Sequence, residues 1–230
     1  WSAINNIAAA AKRLDPHHPT MTVVAEIGGE RVNCIHRLCP EIDIVGINSY
    51  AGAASLPKRY READGTKPFI VTEFGPAGVW ESPKNAWGVS HEPTSTAKGD
   101  AYRKVYQAFT ADGLCLGSYA FLWGTKQEAT ATWFGMLLPD GRRLEAADAM
   151  TSCWTGKPPK NRCPQIALLK IDGADQVEPG ATIRATLDVS DPEHDTLEVR
   201  WVLQREAATL GAGGDAEAVR ACLRDLAAFS

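Results

Sequence analysis

Four short apolar runs, each followed by a stretch of helical periodicity, constrain this chain more than any other feature. They are residues 20–27 (TMTVVAEI), 42–50 (IDIVGINSY), 68–74 (PFIVTEF) and 114–123 (LCLGSYAFLW). The runs are apolar nearly throughout rather than alternating, which predicts strands buried on both faces of a parallel sheet. Helical periodicity covers 4–14, ended by Asp15-Pro16, and 30–38, stopped by Pro40. It returns at 56–63, at 94–111 with Thr94 or Ser95 as the cap, and from 144 to about 153. Residues 1–155 therefore read as repeated βα units, an α/β fold.

Both a doubly wound sheet and a (β/α) barrel fit that alternation. No Gly-rich phosphate loop follows any of the strands, which disfavours a nucleotide fold. Polar and aromatic residues gather at strand ends instead: Glu26, Asn48, Tyr50, Glu73 and Trp123. The C-terminal rim is where a barrel assembles its chemistry. The fold this favours over 1–155 is a TIM barrel, of which four strands are half. A doubly wound domain is the alternative.

Beyond residue 155 the pattern changes. Residues 156–165 (GKPPKNRCPQ) read as a Pro-rich linker. Strands are expected at 166–171, 182–189 and 197–204, the last two joined by the turn cluster Asp191-Pro192-Glu193-His194-Asp195. Three strands over 166–206 suggest the start of an immunoglobulin-like sandwich, which takes about seven. Residues 207–230 read as a flexible or helical tail, with an amphipathic helix over 215–229 that aligns Val219, Cys222, Leu226 and Phe229.

Composition excludes several function classes. With 44% hydrophobic and 23% charged residues the chain is neither disordered nor a disulfide miniprotein. A net charge of −4 leaves no broad basic footprint, so neither nucleic acid nor an anionic membrane is an expected partner. No apolar run is long enough to span a bilayer. The six cysteines show no CxxC and no zinc spacing. Cys34, Cys39 and Cys115 read as buried thiols, and Cys153 and Cys163 flank the linker at a distance that allows a disulfide. His17, His18 and His91 form no ligand pair, so neither a catalytic metal nor a cofactor is expected. Asp191, Glu193 and Asp195 read either as calcium oxygens or as a plain turn.

Glu73 is the strongest chemical candidate. A carboxylate ending an apolar strand is costly unless it is paired or functional, so it is either a salt-bridge partner or a reacting group. Tyr50 ends the preceding strand, within reach of that carboxylate. A phenol hydrogen bond favours the ionised form and aims one lone pair, both of which a nucleophilic carboxylate needs. Trp123 offers a flat indole for the apolar face of a sugar, or else packs in the core. Trp80, Trp87 and Trp133 lie in the long loops after the third and fourth strands, and such loops commonly carry function. Lys126, Gln127 and Glu128 follow Trp123 and are either sugar contacts or solvated loop charges.

The run DIVGINSY … KPFIVTEFGP … GSYAFLWG resembles the second half of a retaining glycoside hydrolase barrel of the clan that includes glycoside hydrolase family 2. The resemblance covers roughly residues 1–155. It implies that Glu73 is the nucleophile of the seventh strand, that Tyr50 belongs to the sixth and that Trp123 belongs to the eighth. Asn48, Trp123, Glu26, Trp80 and Trp133 become the expected substrate contacts. The family's acid/base Glu follows an Asn at the end of the fourth strand; in this register it lies just upstream of Trp1, so the 230 residues are expected to be inactive alone. Glu26 is the only other strand-end Glu, and its options are acid/base, substrate contact or structure.

The expected activity of the parent protein is glycoside hydrolysis or transglycosylation on an oligosaccharide or polysaccharide. A non-catalytic carbohydrate-binding or scaffold protein with a degenerate barrel is the alternative. Compartment and oligomeric state are left open, with a periplasmic or secreted location favoured; the 230 residues contain no signal peptide.

Overall fold

The computed structural model describes residues 1–173, 176–178, 180–204 and 222–226. These fall into two compact units. The first comprises Trp1–Pro83 and Ala101–Phe121; the second comprises Lys84–Asp100 and the described residues from Leu122 onward.

The first unit is built on four parallel strands, β1 (Met21–Ala25), β2 (Ile44–Asn48), β3 (Phe69–Phe74) and β4 (Cys115–Ala120), in the spatial order β1-β2-β3-β4. Its helices are α1 (Ser2–Leu14), α2 (Arg31–Leu38), α3 (Leu56–Glu62) and the portion from Ala101 of α4 (Ser95–Thr110). Strand order bears on the two expected α/β topologies. A doubly wound sheet reverses direction at a switch point. Here neighbours in sequence are neighbours in space throughout, and right-handed crossovers in one direction put the connecting helices on one face.

Aromatic contacts agree. Tyr60 of α3 meets Phe69 at 5.0 Å, and Tyr102 and Phe109 of α4 meet Phe74 at 5.8 and 5.3 Å. Val45, Ile47, Phe69, Val71 and Phe74 are fully buried on the two central strands. Val23 and Thr72 crowd over Gly46 on the other face. A Cβ on Gly46 would lie 2.7 Å from Val23 Cγ2 and 3.1 Å from Thr72 Cγ2, which is why the central strand carries a glycine there.

Burial on both faces, expected of all four strands, holds only in the middle of the sheet. Met21, Val23, Leu116 and Tyr119, all on β1 and β4, are 44–65% exposed. These are the edge strands, with a neighbour on one side only. The fourth strand is also shorter than expected. It ends at Ala120, three residues before Trp123; Phe121 N–H still donates to Phe74 O at 2.8 Å, and Leu122 N–H turns to Phe134 O at 3.0 Å.

In the second unit Thr94, not Ser95, caps α4: its Oγ1 accepts Ala97 N–H at 3.2 Å. Ser95 Oγ instead accepts Glu145 N–H at the start of α5 (Glu145–Thr155). Two antiparallel pairs follow, β5 (Gln165–Asp172) with β6 (Arg184–Ser190), and β7 (Trp201–Gln204) with β8 (Cys222–Leu226). Residues 156–165 are no free linker. Arg143 Nη2 donates to Asn161 O, Cys163 N–H to Asp148 Oδ2 and Ile166 N–H to Thr96 Oγ1, at 2.6, 2.7 and 2.9 Å. The stretch therefore packs with α5 and the start of α4 in one compact unit.

Two further expectations are corrected. Within the helix expected over 215–229, Cys222–Leu226 is a strand; the rest lies outside the described residues, as do 207–214. An amphipathic period is not enough for a short helix without a face to pack on, whereas pairing with β7 satisfies two edges at once. No disulfide joins Cys153 to Cys163. The chain folds back so that Cys163 N–H reaches Asp148, which precedes Cys153 on the helix by about 7.5 Å of rise, too far for a bridge. The cluster 191–195 is a turn organised by one carboxylate: Asp191 Oδ1 accepts the N–H groups of Glu193 and Asp195 at 2.8 and 3.0 Å. Among the described residues no helix is long and apolar enough to cross a membrane.

Candidate active site

The parallel register brings the strand-end residues to one level. Ala25 pairs with Asn48, and Asn48 with Glu73 across a one-residue register shift in the ladder between β2 and β3. Backbone bonds carry the alignment past the strands: Glu26 N–H donates to Asn48 O at 2.8 Å and Ser49 N–H to Glu73 O at 2.9 Å. Glu26, Asn48, Tyr50 and Glu73 thus come together as the sequence predicts.

Tyr50 hydroxyl donates to Glu73 Oε2 at 2.7 Å. The phenol is 9% exposed, and its ring is held edge-on by Trp80 at 5.6 Å and by Phe121 at 6.1 Å. Phe121 is itself placed by Tyr102, whose hydroxyl donates to Phe121 O and whose pKa is pushed up by burial. Asn48 Oδ1 accepts Thr72 Oγ1–H at 2.6 Å, so the side chain before Glu73 orients the amide beside it. The resulting group is a half-buried carboxylate with one oxygen fixed by a buried phenol. Chemically it can act as a nucleophile or as an electrostatic stabiliser of positive charge.

Glu26 is engaged differently. It sits in a left-handed backbone conformation, φ 64°, and its carboxylate is filled by donors. Ser49 Oγ donates to Oε2 at 2.7 Å, Ile27 N–H to Oε1 at 2.9 Å, and the Arg59 guanidinium clasps both oxygens at 3.1 and 3.2 Å. Burial raises its pKa, but Arg59, Ser49 and the Ile27 N–H outweigh that and hold it below the ordinary carboxylate value. A carboxylate clasped across both oxygens by arginine is poorly placed to donate a proton. Arg59 was not legible as a site residue: on α3 it reads as a solvated helix charge. Glu81 was missed too; its Oε2 accepts N–H bonds from Gly78 and Ala51.

The tryptophans part company. Trp80 is 56% exposed and touches Tyr50. Trp123, at 68% exposure, and Trp87, at 57%, belong to the second unit. Trp133, also in that unit, is 1% exposed; its ring is core and offers no face to a ligand, contrary to expectation. Lys126 pairs with the buried Glu128 at 2.7 Å instead of standing free as a loop charge.

Among the described residues the second unit holds one group with potential metal-ligand atoms close together, Glu145, Asp148 and Cys163. Protein groups already face these carboxylates, although Asp148 Oδ1 accepts no hydrogen bond from the described residues. Glu145 Oε2 accepts Gln165 Nε2–H, Asp148 Oδ2 accepts Cys163 N–H, and Asp148 Oδ1 lies 3.1 Å from Arg143 Nε. Burial, and next the two carboxylates, push the Cys163 thiol up to about 12. The cluster reads as structural.

No family model and no curated protein matches the chain. Solved structures do. A Bacteroides uniformis beta-glucuronidase 2, covalently bound to cyclophellitol-6-carboxylate aziridine, aligns over 71% of this chain and 20% of its own, with 16% identity and a TM-score of 0.50. A GH2 beta-galacturonidase from Eisenbergiella tayi bound to galacturonate aligns over 66% of this chain and 29% of its own, with 17% identity and a TM-score of 0.47. A GH39 beta-xylosidase from Caulobacter crescentus aligns over 68% and 37%, with 16% identity and a TM-score of 0.45. This chain thus spans well under half the length of each. At such identities the likeness to the first is one of fold.

Proposed function

We propose that this chain is part of a retaining glycoside hydrolase, with Glu73 as the nucleophile and Tyr50 as the residue that orients it. The observation that carries this reading is the 2.7 Å hydrogen bond from the Tyr50 hydroxyl to Glu73 Oε2, made at the ends of adjacent parallel strands. Residues 1–155 form the second half of a TIM barrel, and the singly wound order β1-β2-β3-β4 supports that. Residues 166–206 begin an immunoglobulin-like module. Asn48 and Trp80 contact the glycan, and Glu26 serves as a structural anchor for the rim.

In the reaction a Glu73 oxygen attacks the anomeric carbon and the glycosidic C–O bond breaks. A second carboxylic acid, about 5–5.5 Å away, gives its proton to the leaving oxygen. Water, or another sugar in a transglycosylase, then releases the glycosyl-enzyme. Glu26 is not that acid here; the second carboxyl comes from a part of the protein outside these 230 residues. The substrate is an oligosaccharide or polysaccharide. The glucuronidase, galacturonidase and xylosidase named among the solved structures put β-linked uronides and xylosides first among those to try.

Covalent labelling tests the assignment even without the acid. A 2-deoxy-2-fluoro-β-glycoside of 2,4-dinitrophenol expels a phenolate that needs no proton, and the fluorine slows release of the adduct. A panel with gluco, galacto, xylo and glucurono configurations is expected to label the peptide containing Glu73. The Glu73→Gln variant is expected to take no label. Labelling of another residue would sink the assignment. Saccharide binding without any label would favour the non-catalytic carbohydrate-binding protein.

A further inference from the structure

Glu81 lies outside every motif in the sequence, yet its carboxylate joins the two loops that carry Tyr50 and Trp80. One oxygen, Oε2, accepts Gly78 N–H at 2.8 Å and Ala51 N–H at 3.0 Å. Ala51 directly follows Tyr50, and Gly78 belongs to the segment that leads from Glu73 to Trp80. The loop also closes on itself: Glu81 N–H, Ser82 N–H and Ser82 Oγ–H all donate to Gly78 O, at 2.9, 3.1 and 3.1 Å. Gly78 is therefore held at both its N–H and its carbonyl.

The Trp80 indole rests on that glycine. A Cβ built on Gly78 would lie 2.5 Å from Trp80 Cε2 and 2.6 Å from Cζ2, closer than any side chain permits. Tyr50 meets the indole edge-on, and Trp80 still remains 56% exposed. An aromatic ring fastened from below and open to solvent, one ring away from the Glu73 carboxylate, is pre-organised to bind. It offers a flat apolar face with little ordering left to be done on contact.

We infer that Glu81 and Gly78 are positioning residues that hold Trp80 as a fixed stacking platform for the apolar face of a saccharide ring. The saccharide rests on the glycosidase reading above; the positioning does not. The 15N-labelled 230-residue chain provides the test, through the Trp80 indole N–H signal, assigned with Trp80→Phe. The signal is followed alone and during titration with the methyl β-glycosides of glucose, galactose, xylose and glucuronic acid. Glu81→Ala and Gly78→Ala are expected to move the ligand-free signal and to weaken glycoside binding about five- to tenfold, the scale of one lost stacking contact. Glu81→Gln keeps an acceptor oxygen and is expected to behave like the parent chain.

An unmoved Trp80 signal in Glu81→Ala would overturn the inference, as would Glu81→Gln proving as damaging as Glu81→Ala. If no glycoside moves Trp80 in the parent chain while Glu81→Ala does, the saccharide falls and the positioning role stands.

Discussion

Two strand-end glutamates of the same sheet, Glu26 after β1 and Glu73 on β3, have opposite surroundings. Glu26 receives four donor contacts from Ser49, Ile27 and Arg59, including a guanidinium across both oxygens. Glu73 receives a phenol on one oxygen. Saturation makes the first a fastening between β1, the turn after β2 and α3. Sparse, directed contact leaves the second able to react. Residue type and position at a strand end are shared, so the difference lies in which helix residue reaches back to the rim: Arg59 of α3 does so for Glu26.

The sharpest way to break this contrast is at Tyr50. Tyr50→Phe removes the donor and keeps the ring packed between Trp80 and Phe121. It is expected to slow fluoroglycoside labelling of Glu73 roughly 10- to 100-fold, the worth of a hydrogen bond to a charged group. Labelling at the parent rate would mean that the phenol does not orient the nucleophile.

Arg59→Ala acts on the other side of the comparison. The pair is about one-third exposed on each side, so solvent screens much of its attraction. The variant is expected to lose about 1 kcal/mol of stability in urea unfolding. It should also raise the Glu26 pKa, read from its side-chain 13C shift.

Acid gives a third measure. Glu26 has a lowered folded-state pKa, so the unfolded chain takes up its proton first as the pH falls. The stability it contributes is present above its ordinary carboxylate pKa and is lost as the pH drops through the lower folded value. Thermal melts from pH 7 to pH 3 should therefore fall more steeply for the parent chain than for Glu26→Gln. Equal slopes would show that the clasp does not shift the titration.

Thr72→Val is the mildest change. It keeps the shape beside Gly46 but removes the bond to Asn48 Oδ1. About 0.5–1 kcal/mol is expected from urea unfolding, with labelling of Glu73 little changed.

Much of the first unit was legible because strands and helices declare themselves through local pattern. The expected bounds of the first three strands and of all five helices in 1–155 lie within a few residues of those observed. Tyr50 and Glu73 were legible for a related reason: parallel strands in sequential order align their ends, so two strand-end residues meet without further information. Trp133 was not. A loop tryptophan looks the same whether it is a platform or, as here, core. Nor was the pairing of Cys222–Leu226 with β7, since a short amphipathic segment takes whichever partner is near.

Arg59 and Glu81 mark the same boundary more exactly within the site. Arg59 stands in the sequence among other charged residues and Glu81 in a long loop, and nothing local distinguishes either. Sequence by itself determined the βα alternation, the parallel sheet and the convergence of Tyr50 with Glu73, because local periodicity and chain connectivity suffice for these. Only the tertiary structure decided that Glu26 is clasped, that Trp80 is seated on Gly78 and that Cys163 turns to Asp148 instead of Cys153. Those outcomes depend on hydrogen bonds between residues far apart in the chain, whose geometry exists only once the sheet and helices have packed.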